Sequence, residues 1–531
     1  MSHLVHESII RQAMQAPASP ALAYGRQRWD YAALGGALEA FAQGLLGLGL
    51  QRGERVAVYL EKRLEGVAAM FGTAAAGAVF VPVNPLLKSH QLAHILRDCD
   101  VRVLVTSAER LAMLGDALAG CPALHTVVVT ATAAPPAIAS SCAVLAWDSL
   151  LAGARGPSGR LPHRRIDGDM AAILYTSGST GQPKGVVLSH RNLVAGAASV
   201  ASYLQNTPGD RILAVLPLSF DYGLNQLTTA FEVGASAVLM NYLLPRDIPA
   251  AVAEHGITGL AAVPALWMQL ARQAWPQQDS LRYITNSGGA MPQTTLALLR
   301  QALPAAKVFL MYGLTEAFRS TYLPPDELAR RPDSIGRAIP NAEVMVLRPD
   351  GSPCAAGEAG ELVHRGALVA LGYWNDPERT AQRFRPLPGD GAGLPLAEIA
   401  VWSGDTVKMD EDGFLYFVGR GDDMIKVSGY RISPTEIEEV IAATGLVAEA
   451  AAFGVPHPSL GQAIVAVVKP GDDGVTPQLL LQECRRHLPA YMVPLHIAVH
   501  DDDLPRNPNG KIDRKALQAA FSGLFENEAE S

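Results

Sequence analysis

From Tyr175 to Gly185 the chain reads Tyr175-Thr176-Ser177-Gly178-Ser179-Thr180-Gly181-Gln182-Pro183-Lys184-Gly185, a run of hydroxyls and glycines with one lysine embedded in it. Such a loop after a strand can offer backbone N–H groups, hydroxyl donors and a cation to phosphate oxygens. It is not a Walker A loop, because Pro183 stands where that pattern has glycine before lysine. A flexible Ser/Gly connector is the competing reading. The length of the ordered run and the embedded Lys184 argue against it.

Further short motifs follow: Ser287-Gly288-Gly289-Ala290, Tyr312-Gly313-Leu314-Thr315-Glu316, Ser403-Gly404-Asp405, Gly419-Arg420-Gly421-Asp422-Asp423-Met424-Ile425-Lys426, Gly429-Tyr430-Arg431-Ile432 and Pro505-Arg506-Asn507-Pro508-Asn509-Gly510-Lys511. In order and approximate spacing the set resembles the AMP-forming adenylating enzymes, the group of acyl-CoA synthetases, peptide-synthetase adenylation domains and luciferases. The resemblance implies two half-reactions in one site. A carboxylate attacks the α-phosphorus of ATP and expels pyrophosphate; a thiol then displaces AMP from the acyl-adenylate. A carboxylate is already ionised at neutral pH, so the first step needs no general base. It needs charge stabilisation and in-line positioning. Lysines, hydroxyls and an acidic metal ligand, without a nucleophile triad, fit that demand.

The resemblance implies roles residue by residue. Thr176, Ser177, Thr180 and Lys184 would hold the β- and γ-phosphates, in a loop completed by Gly178, Ser179 and Gly181. Glu316 would be the ligand of a phosphate-bridging Mg²⁺, a hard cation that needs few protein carboxylates when phosphates supply the rest. Thr315 would donate to the α-phosphate, Tyr312 beside Gly313 would stack on adenine, and Gly289 and Ala290 would line the adenine and acyl pockets. Asp405 would accept from both ribose hydroxyls, with Arg420 facing the nucleotide. Lys511 would bridge the carboxylate and α-phosphate during adenylation, Asp422 would be the hinge of a rotating small domain, and Gly429 would line the thiol tunnel. Singly, Tyr312 also reads as a core aromatic, Asp405 as a turn residue and Glu316 as a carboxylate at a helix start. A non-catalytic relative that kept the fold would be expected to lack Lys184, Glu316, Asp405 or Lys511, and all four are present.

Phe220, Asp221 and Gly288 are expected in the acyl pocket. The segment Pro217-Leu218-Ser219-Phe220-Asp221-Tyr222-Gly223 carries Phe-Asp where many acyl-CoA synthetases carry Phe-His. Amino-acid activators tend to show Phe-Asp, their aspartate pairing with the substrate ammonium, so Asp221 hints at an amine-bearing acid. A local packing substitution is the other reading. CoA and a carrier protein's phosphopantetheine present the same thiol, and both stay open as acceptor. A luciferase-type oxidase is formally open too.

These residues need elements to hold them. From Arg55 to Thr130 short β-rich runs alternate with helix-like stretches, and the rhythm recurs at Ile173-Tyr175, Ile212-Leu216, Ala237-Met240, Gly259-Val263 and Val308-Leu310. That pattern predicts βαβ units and doubly wound parallel sheets, with ligands at the carboxyl ends of strands. After about Ile335 the texture changes to antiparallel-looking strands with Gly, Pro and Asp turns. The expectation is a large α/β N-terminal domain over 1–421, with a small β-rich subdomain at 335–421, and a smaller mobile α+β C-terminal domain over 422–531.

Charge and composition narrow the class further. With 51 acidic and 43 basic residues the formal charge is -8, so a nucleic-acid partner is not expected. At 49% hydrophobic and 18% charged residues the chain is globular rather than disordered. The uncharged run Val67 to Val83 is short for a membrane span, is broken by Gly72, Gly77 and Pro82, and reads as a buried helix and strand. Five scattered cysteines and no signal-peptide pattern point to the cytoplasm. The expected partners are a small carboxylic acid, ATP with Mg²⁺, and CoA or a carrier protein.

Overall fold

The structure, a computed structural model, describes residues 2–132, 142–153, 163–176, 183–276, 279–387, 397–420, 424–471, 475–505 and 512–526. The predicted alternation after Arg55 is present as strands Arg55–Tyr59, Val79–Pro82, Val101–Ser107 and Thr126–Thr130 with helices Leu64–Ala76, Ser89–Asp98 and Ala108–Leu114 between them. These strands pair in parallel. They form the middle of an eight-stranded sheet that Met170–Thr176 joins in parallel and Lys184–Ser189 and Gly372–Tyr373 extend antiparallel. The uncharged Val67–Val83 run falls in helix Leu64–Ala76, buried at every position but Glu65, and in the wholly buried strand Val79–Pro82. Its apolarity serves the protein core. Among the described residues no helix is long and apolar enough to cross a membrane.

A second sheet of fourteen strands holds the other half of the site. Pro20–Tyr24, Ser236–Leu239, Arg211–Ala214, Gly259–Ala262, Tyr283–Asn286 and Lys307–Tyr312 run parallel. Beyond Lys307–Tyr312 the pairing turns antiparallel through Thr321–Leu323, Ser334–Ala338, Leu415–Arg420, Ile399–Met409, Ala359–Gly366 and Ala342–Leu347. The β-rich stretch expected after residue 335 is therefore an extension of this sheet, hydrogen-bonded to it edge to edge.

Beyond residue 423 a separate five-stranded sheet is built on the hairpin Val447–His457 and Gly461–Pro470. Helices Pro434–Ala443 and Pro477–His487 cover one face through Ile437, Ile441, Leu480 and Cys484. Helix Arg514–Ala520 covers the other face through Leu517, against Ala451, Phe453 and Val455. No disulfide joins the five cysteines.

Candidate active site

The loops that matter leave the carboxyl ends of parallel strands. In the second sheet Val215–Asp221 follows Arg211–Ala214, Val263 follows Gly259–Ala262, Ser287–Ala290 follows Tyr283–Asn286, and Gly313–Glu316 follows Lys307–Tyr312. In the first sheet Leu60–Lys62, Val83–Leu87 and Thr176 hold the matching positions. Between them lies a cavity of about 610 Å³ reaching from Thr315, Phe220 and Asp221 to Gly429, Tyr430 and Tyr491. Strand ends leave backbone and side chains free to face a ligand, which is why open α/β sheets bind there.

The phosphate-loop motif spans a β-hairpin, with Thr176 opposite Lys184 across the ladder. Thr176 Oγ1 is buried and, among the described residues, has no hydrogen-bond partner. Lys184 Nζ donates to Glu316 Oε1 at 2.9 Å and to the Tyr373 hydroxyl at 2.9 Å. Tyr373 in turn donates to Glu316 Oε1 at 2.7 Å, and the ammonium lies 4.3 Å from the Tyr373 ring centre. Lys184 and Glu316 are both largely buried, so removing either would strand a charge, at about 3–5 kcal/mol. The cation and the carboxylate expected at the phosphates thus hold each other. Tyr373 went unnoticed in the sequence because an aromatic in Gly372-Tyr373-Trp374 bears no chemical signature.

At the end of strand Lys307–Tyr312 the Tyr312 phenol donates to Asp405 Oδ2, joining the residue expected at adenine to the one expected at ribose. Asp405 is buried in strand Ile399–Met409, its amide donating to Ser403 Oγ at 3.0 Å and its backbone in register with Arg420. Asn286 Nδ2 donates to the Gly289 carbonyl at 3.0 Å and fixes the Ser287–Ala290 turn, in which Ala290 is exposed.

Phe220 and Asp221 open helix Asp221–Val233, and both line the cavity. That helix starts tightly: a Cβ on Gly223 would come within 1.9 Å of the Pro217 carbonyl oxygen. Asp221 is 3% exposed and pairs with Arg319, itself 2% exposed, at 3.3 Å. The sequence offered no hint of Arg319, which is 98 residues away.

The second domain closes the cavity with the hairpin Ile425–Val427/Tyr430–Ile432. Its two-residue turn has φ +49° at Ser428 and +88° at Gly429, the left-handed pair of a type I′ turn. A Cβ on Gly429 would meet Val263 Cγ1 at 2.6 Å. The Gly429 carbonyl lies 3.9 Å from the Cβ position of Gly288, as does Phe220 Cζ, so the predicted thiol-tunnel and acyl-pocket residues converge. Beside the turn, Tyr430 stacks on Tyr491 with ring centres 3.9 Å apart. Gln91 Nε2 donates to Glu436 Oε1 at 3.3 Å across the domain boundary, and burial pushes the Glu436 carboxyl up to about 7. Lys62 also lines the cavity; burial brings it down to about 8 while Nζ donates to the Val215 carbonyl at 2.9 Å.

Ser177, Gly178, Ser179, Thr180, Gly181, Asp422 and Lys511 lie outside the described residues, and Arg420 is described by its backbone alone.

Comparison with known proteins agrees with this geometry. The model of the AMP-binding enzyme family matches residues 9–374, and that of the AMP-binding enzyme C-terminal domain matches residues 436–511. A long-chain-fatty-acid-CoA ligase of Salmonella typhimurium is 32% identical over 91% of this chain and 88% of the relative. An L-proline-(L-prolyl-carrier protein) ligase of Pseudomonas fluorescens is 32% identical over 98% of this chain and 100% of the relative. Among solved structures, a double mutant of o-succinylbenzoate CoA synthetase from Bacillus subtilis, bound with its product analogue OSB-NCoA, is similar at TM-score 0.83 and 26% identity over 96% of this chain and 98% of that one. ATP-bound MatB from Rhodopseudomonas palustris is similar at TM-score 0.68 and 26% identity over 99% of this chain and 100% of that one. The chain belongs to the AMP-binding enzyme family and is an AMP-forming acid-thiol ligase.

Proposed function

We propose that one cavity serves both half-reactions. A carboxylic acid is activated as its acyl-adenylate at the end bounded by Thr315, Phe220 and Asp221, and a pantetheine thiol enters past Gly429. The observation that carries this reading is the seating of Gly429 against Val263 and Gly288. A side chain at 429 would collide with Val263, so glycine lets the hairpin seat in the cavity wall beside the path of the thiol arm, and only the C-terminal domain supplies it.

In the first half-reaction Lys184 and Thr176 take the β- and γ-phosphates, Thr315 the α-phosphate, and Tyr312 and Asp405 the adenosine. When Lys184 turns to phosphate, Glu316 keeps the Tyr373 hydrogen bond and gives up the Lys184 ammonium. That single buried carboxylate, with Tyr373 and Thr176 hydroxyls nearby in the fold, fits Mg²⁺ arriving on phosphates. When bound, the ion supplies charge neutralisation as pyrophosphate departs. Lys511 bridges the carboxylate and α-phosphate in this step, and rotation about Asp422 then exchanges it for the Gly429 hairpin.

One observation supports a thioester-forming arrangement here. At equal identity, the chain is more similar to the synthetase holding a CoA product analogue than to the ATP-bound relative. The acceptor is a pantetheine thiol, brought by CoA or by a carrier protein.

The test is carboxylate-dependent ATP-pyrophosphate exchange over a panel of acids, followed by thioester assay with CoA and with holo-carrier protein. Acid-dependent exchange and a thioester with one of the two thiols are expected. No exchange, or exchange that never yields a thioester, refutes the reading.

A further inference from the structure

Three carboxylates line the cavity among the described residues: Glu61, Asp221 and Glu436. Glu61 is bridged by Arg110. Glu436 faces Gln91 at the domain boundary, where burial holds much of it protonated near neutral pH. Asp221 is the carboxylate at the acid end, and one of its two oxygens is engaged inside the protein. Its Oδ2 lies 3.3 Å from Arg319 Nη1. As the first residue of helix Asp221–Val233 it also sits at the positive end of the helix dipole.

Arg319 is delivered there by the backbone. Phe318, just before it, has φ +54° and ψ -46°, a backbone conformation that a bulky residue seldom adopts, at the end of the Thr315–Ala317 turn. The guanidinium packs 4.7 Å from the Tyr222 ring centre and 5.7 Å from that of Phe318. Its Nε and Nη2 are buried and, among the described residues, have no hydrogen-bond partner. Arg319 therefore has no second acceptor to turn to. A substrate ammonium could take Asp221 only by leaving that buried cation uncompensated or by sharing one carboxylate between two cations, and both are costly away from water. The Lys62 ammonium, which lines the same cavity, adds a further like charge against an incoming amine.

We infer that Arg319 is a specificity-determining residue. By neutralising Asp221 from within the fold it removes the amine anchor, so that the acid activated is one without an α-ammonium group. This rests on the ligase reading above and adds the class of acid.

The experiment compares matched pairs in ATP-pyrophosphate exchange: proline with cyclopentanecarboxylate, leucine with 4-methylpentanoate, phenylalanine with 3-phenylpropanoate. For the wild-type protein the amine-free member should lead in kcat/KM by about 100-fold or more, the scale on which polar mismatches are rejected. Arg319→Met exposes Asp221 and should narrow that ratio by about tenfold or more. Adding Asp221→Asn to it should widen the ratio again. A merely structural role would slow both acids alike and leave the ratio unmoved.

A wild-type preference for the amino acid in a matched pair would overturn the inference while leaving the ligase reading intact. An unmoved ratio in Arg319→Met would do the same. If no acid supports exchange, the ligase reading itself fails. The pair is then judged by a double-mutant cycle of Asp221→Asn and Arg319→Met in urea unfolding, where coupling upholds it and additivity overturns it.

Discussion

Gly429→Ala separates the two half-reactions by a contact that exists only when the C-terminal hairpin is docked. A Cβ at this position would lie 2.6, 2.8 and 2.9 Å from Val263 Cγ1, Cβ and Cγ2. Forcing such an overlap into packed surroundings costs about 1–3 kcal/mol. The left-handed φ of +88° adds about 1–2 kcal/mol for alanine, but the hairpin carries that cost in either domain arrangement. Only the overlap discriminates between the steps. Thioester formation should therefore fall about 5- to 150-fold while ATP-pyrophosphate exchange stays near wild type. The second step is read as thiol-dependent AMP release from a supplied acyl-adenylate. Val263→Ala in the same chain removes the contacts at 2.6 and 2.9 Å and should return part of the loss. Equal loss in both half-reactions, or no recovery with Val263→Ala, refutes the assignment of Gly429 to the thiol step.

Other expectations follow from the same geometry. Lys511→Ala should lower exchange by about 10²–10³-fold, the scale for removing one charge-stabilising donor, and spare thioester formation from supplied acyl-adenylate; parallel losses would reject its role. Tyr373→Phe removes the hydroxyl shared by Lys184 and Glu316, a bond to charged groups worth about 1.5–3 kcal/mol, and should slow exchange about tenfold or more. Unchanged exchange in that variant would take Tyr373 out of the site. Glu436, raised from 4.5 to about 7 by burial when docked, binds its proton more tightly docked than exposed. Docking of the two domains should accordingly weaken as pH rises from about 4.5 to about 7 and level off above. Domain-to-domain fluorescence transfer across that range should show the change in wild type and lose it in Glu436→Gln; a slope that survives the substitution would implicate another group.

The strand-helix alternation after Arg55 and the helix Pro434–Ala443 were legible because each is a local property of the residue pattern. The uncharged Val67–Val83 run was correctly read as core, its Gly and Pro punctuation marking a helix end and a strand. The motif order from Tyr175 to Lys511 carried the family and the two-step chemistry, which the family models and relatives bear out. Where the antiparallel strands after 335 attach was not legible, since sheet pairing is a long-range choice that periodicity does not encode.

Residue types and their spacing determined which chemistry this protein performs, because phosphate cradles and glycine turns are written over a few consecutive positions. Tertiary structure decided who neutralises whom. Lys184 meets Glu316 across 132 residues, and Arg319 meets Asp221 across 98. The influence of a charge depends on what stands within a few ångströms and on how much water is excluded. Chain order specifies neither, so Asp221 reads as an amine anchor from its neighbours in sequence and as a committed partner of Arg319 from its neighbours in space.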